Sequence, residues 1–172
     1  LVSPQPFLEP LSTLAAIGGR TRRVKFGMNT TVLPLRDPLV LAKECATIDY
    51  LSDGRFLPMF GVGNDVAPEW QALGMDTRGR GQRSNEMLQL LARLWSEDNV
   101  SFEGKYYHYT NVTISPKPKQ SPLPLWIGGS SEAAIERTAK YGTGWLAGSA
   151  QLPAQIGRVI ASIKERAAAN GR

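Results

Sequence analysis

The sequence predicts an α/β fold in which a parallel sheet is covered by helices. Three observations carry that prediction. Apolar runs of strand length alternate with segments of helical periodicity along most of the chain. The strand candidates are mostly apolar rather than alternating, as strands buried on both faces are. A strand-to-helix junction of Gly and Ser stands out in Leu123–Ser131, which contains P-L-W-I-G-G-S-S. Periodicity leaves an open doubly wound sheet and a barrel as alternatives. Four strand-helix units and a leading helix do not complete an eight-unit barrel, which takes about 250 residues.

Each element has its own signal. Pro6–Gly18 has Phe7, Leu11, Leu14, Ala15 and Ile17 spaced for one buried helical face. Val24–Met28 is a strand leading into Asn29-Thr30-Thr31. Asp37-Pro38 opens the next helix, with Pro in the favoured first turn, and Ser52-Asp53-Gly54 closes it. Phe56–Val62 is the second strand, ending in Gly61-Val62-Gly63-Asn64. Pro58 lies inside it and removes a ladder donor, so a bulge or strand end is expected there. A loop rich in Gly and Arg precedes a helix around Glu86–Trp95, with Met87, Leu88, Leu91, Leu94 and Trp95 inward.

Residues 100–122 leave this rhythm. Val100–Tyr109 and Val112–Ser115 read as short strands around Gly104-Lys105 and Thr110-Asn111, followed by the proline-rich Pro116–Pro124. We read this stretch as an excursion from the main fold. The alternation then resumes with strand Leu125–Gly128, helix Glu132–Tyr141, strand Gly144–Ala147 and helix Pro153–Ala169. The last helix carries Ile156, Val159, Ile160, Ile163 and Ala167 on one stripe.

With 172 residues, 42% hydrophobic and 20% charged, the chain has the size and composition of one globular domain. No apolar run approaches the roughly 20 residues of a membrane helix. The lone Cys45 rules out an internal disulfide framework, and its apolar helical setting makes it a buried structural thiol. These features point to a cytoplasmic protein with no membrane partner. The net charge of +5 comes from small groups: Arg20, Arg22, Arg23 and Lys25; Arg78, Arg80 and Arg83; Lys117 and Lys119. None interleaves with aromatics as a nucleic-acid platform does. Such groups are either solvated surface or a means of steering an anionic ligand.

The turn Gly128-Gly129-Ser130-Ser131 carries the strongest chemical signal. It leaves backbone N–H groups free at a helix N-terminus, where the dipole favours negative charge. Its glycines let the main chain approach a ligand, and its hydroxyls add hydrogen bonds. It suits a phosphate, and equally an ordinary turn with a Ser N-cap. Arg36, beside Asp37, reads as half of a local ion pair. His108, the only histidine, sits among Tyr106, Tyr107 and Tyr109 as a structural or exposed group. Trp126 and Trp145 read as packing residues, with Trp145 at a strand end close enough to line a pocket.

Several runs together resemble the bacterial luciferase-like monooxygenase superfamily. They are V-L-P-L-R-D-P-L-V-L-A-K-E-C-A-T-I-D-Y-L-S-D-G-R (Val32–Arg55), G-V-G-N (Gly61–Asn64), E-W-Q-A-L-G (Glu69–Gly74), V-S-F-E-G-K-Y-Y (Val100–Tyr107), I-S-P-K-P (Ile114–Pro118), W-I-G-G-S-S and Y-G-T-G-W. Each is weak alone; their order and spacing along nearly the whole chain are specific. The I-S-P-K-P and W-I-G-G pair resembles most the branch that uses the deazaflavin F420, with the FMN-dependent branch next.

The resemblance implies a (β/α)8 TIM barrel that is incomplete here, lacking the first two and last two strands: residues 1–172 form a single partial domain. Leu1-Val2 would follow the end of the second strand, where relatives carry an Asp-His pair that this sequence does not show. No catalytic acid or base is therefore named. Asn29 and Thr30 match the bulge after the third strand, where relatives often hold a non-prolyl cis peptide behind the cofactor ring. Asn64 and Asp65 follow the fourth strand, though Asp65-Val66 stands where many relatives have Gly-Trp. Glu69 matches a position that contacts the ring or tail. Gly128, Gly129, Ser130 and Ser131 match the phosphate-binding turn. The expected function is an F420-dependent oxidoreductase moving a hydride between deazaflavin and a small organic substrate. The alternatives are an FMN-dependent monooxygenase flavoprotein and a non-catalytic flavin-binding fragment. Open barrel edges predict dimer pairing, completion by a partner or poor folding, with a homodimer as the expected assembly. No metal is called for.

Overall fold

The computed structural model describes residues 5–172; the expectation for Leu1-Val2 lies outside the described residues. The elements run α1 (Pro10–Arg20), β1 (Phe26–Gly27), β2 (Thr31–Val32), a 3-10 turn (Leu33–Leu35), α2 (Pro38–Leu51), β3 (Phe56–Leu57), β4 (Met59–Gly61), α3 (Pro68–Ala72), α4 (Arg80–Ser96), β5 (Val100–Glu103), β6 (His108–Val112), β7 (Trp126–Gly128), α5 (Glu132–Tyr141), β8 (Gly144–Leu146) and α6 (Pro153–Ala169).

The sheet is parallel, in the order β2-β4-β7-β8, and β1 pairs with β3 just below β2 and β4. Neighbours in sequence are neighbours in space, each joined by a helical crossover, as in consecutive strands of a barrel. The four parallel strands therefore form part of a (β/α)8 wall. The register shows how Pro58 is accommodated. Gly27 pairs with Leu57 and Thr31 pairs with Phe60. Met28, Asn29 and Thr30 thus stand opposite only Pro58 and Met59, which is a bulge of one extra residue. The missing proline donor falls where the ladder is already broken, while its carbonyl still accepts from the Trp126 N–H at 3.1 Å. The expected single strand Phe56–Val62 is accordingly split in two.

The helix-covered face of the sheet is the core. Phe56, Phe60, Leu33 and Ile127 pack against Leu41, Cys45 and Ile48 of α2 and Met87, Leu88, Leu91 and Leu94 of α4. Each of the Leu, Ile, Phe and Met side chains contributes about 1.5–3 kcal/mol of burial. Cys45 is fully buried, and that burial pushes its thiol pKa well up, so it is an inert packing group as expected. The opposite face is only half-covered: Gly61, Trp126, Gly128 and Leu146 are all partly exposed.

Several boundaries differ from the sequence reading. The first helix starts at Pro10, where Glu9 caps it by accepting from the Ser12 N–H at 2.7 Å, rather than at Pro6. Phe7, expected inward on that helix, is 66% exposed ahead of it. The fourth helix begins at Arg80, six residues before Glu86, so part of the expected Gly/Arg loop is helical. The short α3 was not anticipated. In the excursion, His108–Val112 is one strand through Thr110-Asn111, and residues 113–115 are not a strand. Glu86 ties this hairpin to α4 by accepting from Lys105 N–H and Tyr106 N–H, both at 2.9 Å. The α6 stripe is not fully buried, because α6 packs chiefly on α5 at the side of the sheet; Ile160 remains 40% exposed.

Candidate functional site

Parallel strands put all their C-terminal ends on one edge of the sheet, which in this architecture is where ligands bind. That edge carries Thr31-Val32, Gly61–Asn64, Gly128–Ser131 and the end of β8. The group Arg20, Arg22, Arg23 and Lys25 precedes β1 and so lies at the opposite edge. Lys117 serves the end of α4, donating to the Leu94 carbonyl at 3.0 Å and pairing with Asp98 at 3.1 Å. Lys119 pairs with Asp53 at 2.9 Å. Only the third basic group, Arg78, Arg80 and Arg83, follows the end of β4.

The bulge brings Thr30 across the sheet. The Asn29–Thr30 peptide is cis. Thr30 Oγ1 lies 2.7 Å from where a Cβ on residue 61 would stand, and its Cγ2 lies 2.9 Å from the corresponding point on residue 128. Glycine at both positions is what lets the β2 side lie low over β4 and β7. The result is a shallow floor of backbone and one short side chain at the C-terminal end of the interior face. A planar ring can rest on such a floor; a bulkier residue at 61 or 128 would fill it.

The turn beyond Gly128 combines a helix cap with open amides. Ser131 is the N-cap of α5, its Oγ accepting from the Ala134 N–H at 3.3 Å, as the structural alternative required. Ser130 is exposed, and the N–H groups of Ser130, Ser131, Glu132 and Ala133 donate to no group among the described residues. These amides sit at a helix start, which favours an anion. The Gly129 carbonyl accepts from the Trp145 indole N–H at 2.8 Å, so Trp145 holds the turn. Trp126 does pack: it lies against Gly144, where a Cβ would fall 2.5 Å from its ring.

Beside Thr30 opens a cleft of about 190 Å³, lined by Phe7, Met28, Thr31, Val32, Leu35, Arg36 and Glu69. Glu69 is half-buried in the first turn of α3. Arg36 is not paired with Asp37; it donates to Glu9 at 2.7 Å, while Asp37 caps α2 through the Leu39 and Val40 N–H groups, both at 2.9 Å. Asn64 and Asp65 are exposed at the same edge. The Asn64 side chain accepts from Val66 N–H at 3.1 Å, its carbonyl accepts from Trp70 Nε1 at 2.7 Å, and Asp65 pairs with Arg80 at 3.6 Å. His108 is a surface residue paired with Glu103 across the hairpin at 2.9 Å. The structure thus brings together Asn29, Thr30, Gly128, Gly129, Ser130 and Ser131, with Glu69 at the adjoining cleft and Asn64-Asp65 on the neighbouring loop.

Two residues escaped the sequence reading. Gly61 is half of the space that Thr30 occupies. Arg137 of α5 is buried, donating to Asn85 Oδ1 at 2.7 Å and the Gly81 carbonyl at 3.2 Å, and it lies beside Gly61, Val62 and Gly128. Burial lowers its pKa from the usual guanidinium value. An Arg between the inward Ala134 and Thr138 of an amphipathic helix was the available signal. No cluster of metal-ligating groups is present among the described residues.

The sequence model of the luciferase-like monooxygenases matches residues 2–172. The chain belongs to the luciferase-like monooxygenase family. Among luciferase-like relatives, an F420-dependent glucose-6-phosphate dehydrogenase of Kineococcus radiotolerans is 29% identical over 161 residues, covering 91% of this chain and 47% of its own length. An FMNH2-dependent dimethylsulfone monooxygenase of Pseudomonas putida is 33% identical over 138 residues, covering 78% and 38%. The crystal structure of the monooxygenase RslO1 from Streptomyces bottropensis superposes with a TM-score of 0.85 at 28% identity, over 95% of this chain and 50% of that one. The chain spans about half the length of the curated relatives it matches. These luciferase-like relatives are oxidoreductases or monooxygenases, and family members use F420 or FMN.

Proposed function

We propose that this luciferase-like chain forms the cofactor-binding part of an F420-dependent oxidoreductase that moves a hydride between the deazaflavin and a small organic substrate. The observation that carries this reading is the contact of Thr30 with Gly61 and Gly128, which sets the bulge beside the free amides of the Gly128–Ser131 turn. The donor set fits such a molecule: a flat floor for a ring and backbone N–H groups for a phosphate. When bound, the deazaflavin supplies the hydride chemistry. The chain orients it: Asn29 and Thr30 back the ring, Gly128, Gly129, Ser130 and Ser131 hold the phosphate, and Glu69, Asn64 and Asp65 border ring and tail. Arg78, Arg80 and Arg83 lie at the same edge, Arg78 paired with Asp76 and Arg80 with Asp65, and as a net basic group they suit the acidic tail that distinguishes F420 from FMN. The F420-dependent relative matches over 91% of this chain, which favours the deazaflavin.

The second reading is an FMN-dependent monooxygenase, favoured by the 33% identity to the dimethylsulfone enzyme. Fluorescence titration of the chain with F420 and with FMN separates the two. Preferential F420 binding supports the first reading; FMN retained with F420 ignored supports the second. If neither binds, the chain is a non-catalytic part. We also propose a homodimer, to be checked by sedimentation, and a cytoplasmic location, to be checked by cell fractionation. No helix among the described residues is long and apolar enough to cross a membrane.

A further inference from the structure

We propose that Trp145 is a positioning residue for the Gly128–Ser131 turn, aiming the Ser130 N–H at the cofactor phosphate; this rests on reading that turn as a phosphate cradle. The indole Nε1–H donates to the Gly129 carbonyl at 2.8 Å. The Gly129–Ser130 peptide is trans, so its N–H points opposite to its carbonyl. The Ser130 N–H is therefore turned away from the indole. Trp145 is the register partner of Ile127, which is 2% exposed beneath the helices. Partners in register share a face of the sheet, so the indole stands on the helix-covered side. The Ser130 N–H is thereby turned away from that layer, toward the interior side where Thr30 lies against Gly128. It donates to nothing among the described residues.

Gly129 has φ +111°, a region where glycine alone is at ease and alternative peptide orientations cost little. Without the indole, nothing else described here holds that carbonyl. A flipped peptide would present an oxygen instead of an N–H to an anion. The bond from Trp145 thus selects the orientation that attracts a phosphate, without Trp145 itself touching it.

The test is a set of fluorescence titrations of the wild-type chain and Trp145→Phe, which keeps an aromatic ring on the strand and loses the donor. The probes are FMN against riboflavin, and F420 against its phosphate-free chromophore. The wild type is expected to favour each phosphorylated probe by roughly tenfold or more, and Trp145→Phe to narrow that ratio by about fivefold while leaving the phosphate-free affinities in place. A variant that weakens all probes alike, or keeps the full ratio, overturns the proposal. In the wild type, the Ser130 amide resonance should move with FMN and not with riboflavin; an unmoved resonance overturns the proposal even if Trp145→Phe does not fold. A wild type with no preference for phosphate overturns the cradle reading itself, which is a different result from a preference that Trp145→Phe leaves intact.

Discussion

Thr30 lies directly on Gly128: its Cγ2 methyl is 2.9 Å from the place a Cβ on residue 128 would take. One strand (β4) separates the two in the sheet, so a bulge on β2 reaches over its neighbour to the next strand. Threonine is stiff at χ1 and cannot swing clear. Gly128→Ala should therefore destabilise the chain by about 1–3 kcal/mol, as overpacking does. Thr30→Ser removes the methyl, and the double variant Gly128→Ala/Thr30→Ser should recover most of the loss. Urea denaturation of the four proteins gives the coupling; additive effects would show that the contact is absent.

The two serines of the turn should separate cleanly. Ser131 caps α5, so Ser131→Ala should cost about 0.5–1 kcal/mol in thermal unfolding with no ligand present. Ser130 is exposed and caps nothing, so Ser130→Ala should leave the melting temperature in place. Its effect should appear only in the affinity for FMN or F420.

Arg55 is the lock between the first helix and the sheet. Although 9% exposed, its guanidinium donates to the Ser52, Val24, Gly18 and Thr21 carbonyls and to Thr21 Oγ1, at 2.6–2.9 Å. Arg55→Met leaves five acceptors without that donor, and a loss of about 2–4 kcal/mol is expected by chemical denaturation. Arg55→Lys should recover only part, since an ammonium cannot span the same fork.

Glu9 makes part of the stability acid-sensitive. Partial burial raises its pKa, but the Ser12 N–H and the Arg36 guanidinium outweigh this and bring it from 4.5 to about 2. A carboxylate depressed in the folded state contributes above its unfolded pKa and loses that contribution as pH falls toward the folded value. The window is therefore pH 5 down to about 2. Glu9 is 37% exposed, so solvent screening holds the contribution below about 1 kcal/mol. Glu9→Gln should be less stable than wild type at pH 7 and equal to it near pH 2, measured by urea midpoints across that range.

Much of this was legible in residue order. The helices at Glu132–Tyr141 and Pro153–Ala169 have the expected bounds because Ser131 caps the first, while Pro153 opens the second and Asn170-Gly171 closes it. The turn at Gly128–Ser131 is where Gly and Ser placed it. Pro58 announced a ladder break, but its location opposite Met28–Thr30 depends on how two strands align. The early start of α4 was hidden because Arg80–Asn85 carries no apolar side chain, so hydrophobic periodicity is silent there even though Ser84 is fully buried. Arg36 was matched to its neighbour Asp37, whereas its partner Glu9 is 27 residues away.

Local patterns in the chain determined the kind and order of the elements, the buried state of Cys45 and the family to which it belongs, because periodicity and turn chemistry act over a few residues. Only the packed structure decided that Thr30 rests on Gly61 and Gly128, that Trp145 holds Gly129, and that Arg55 ties α1 to β1. Those choices join residues 16–98 positions apart, and which distant groups meet is set by strand register and helix docking.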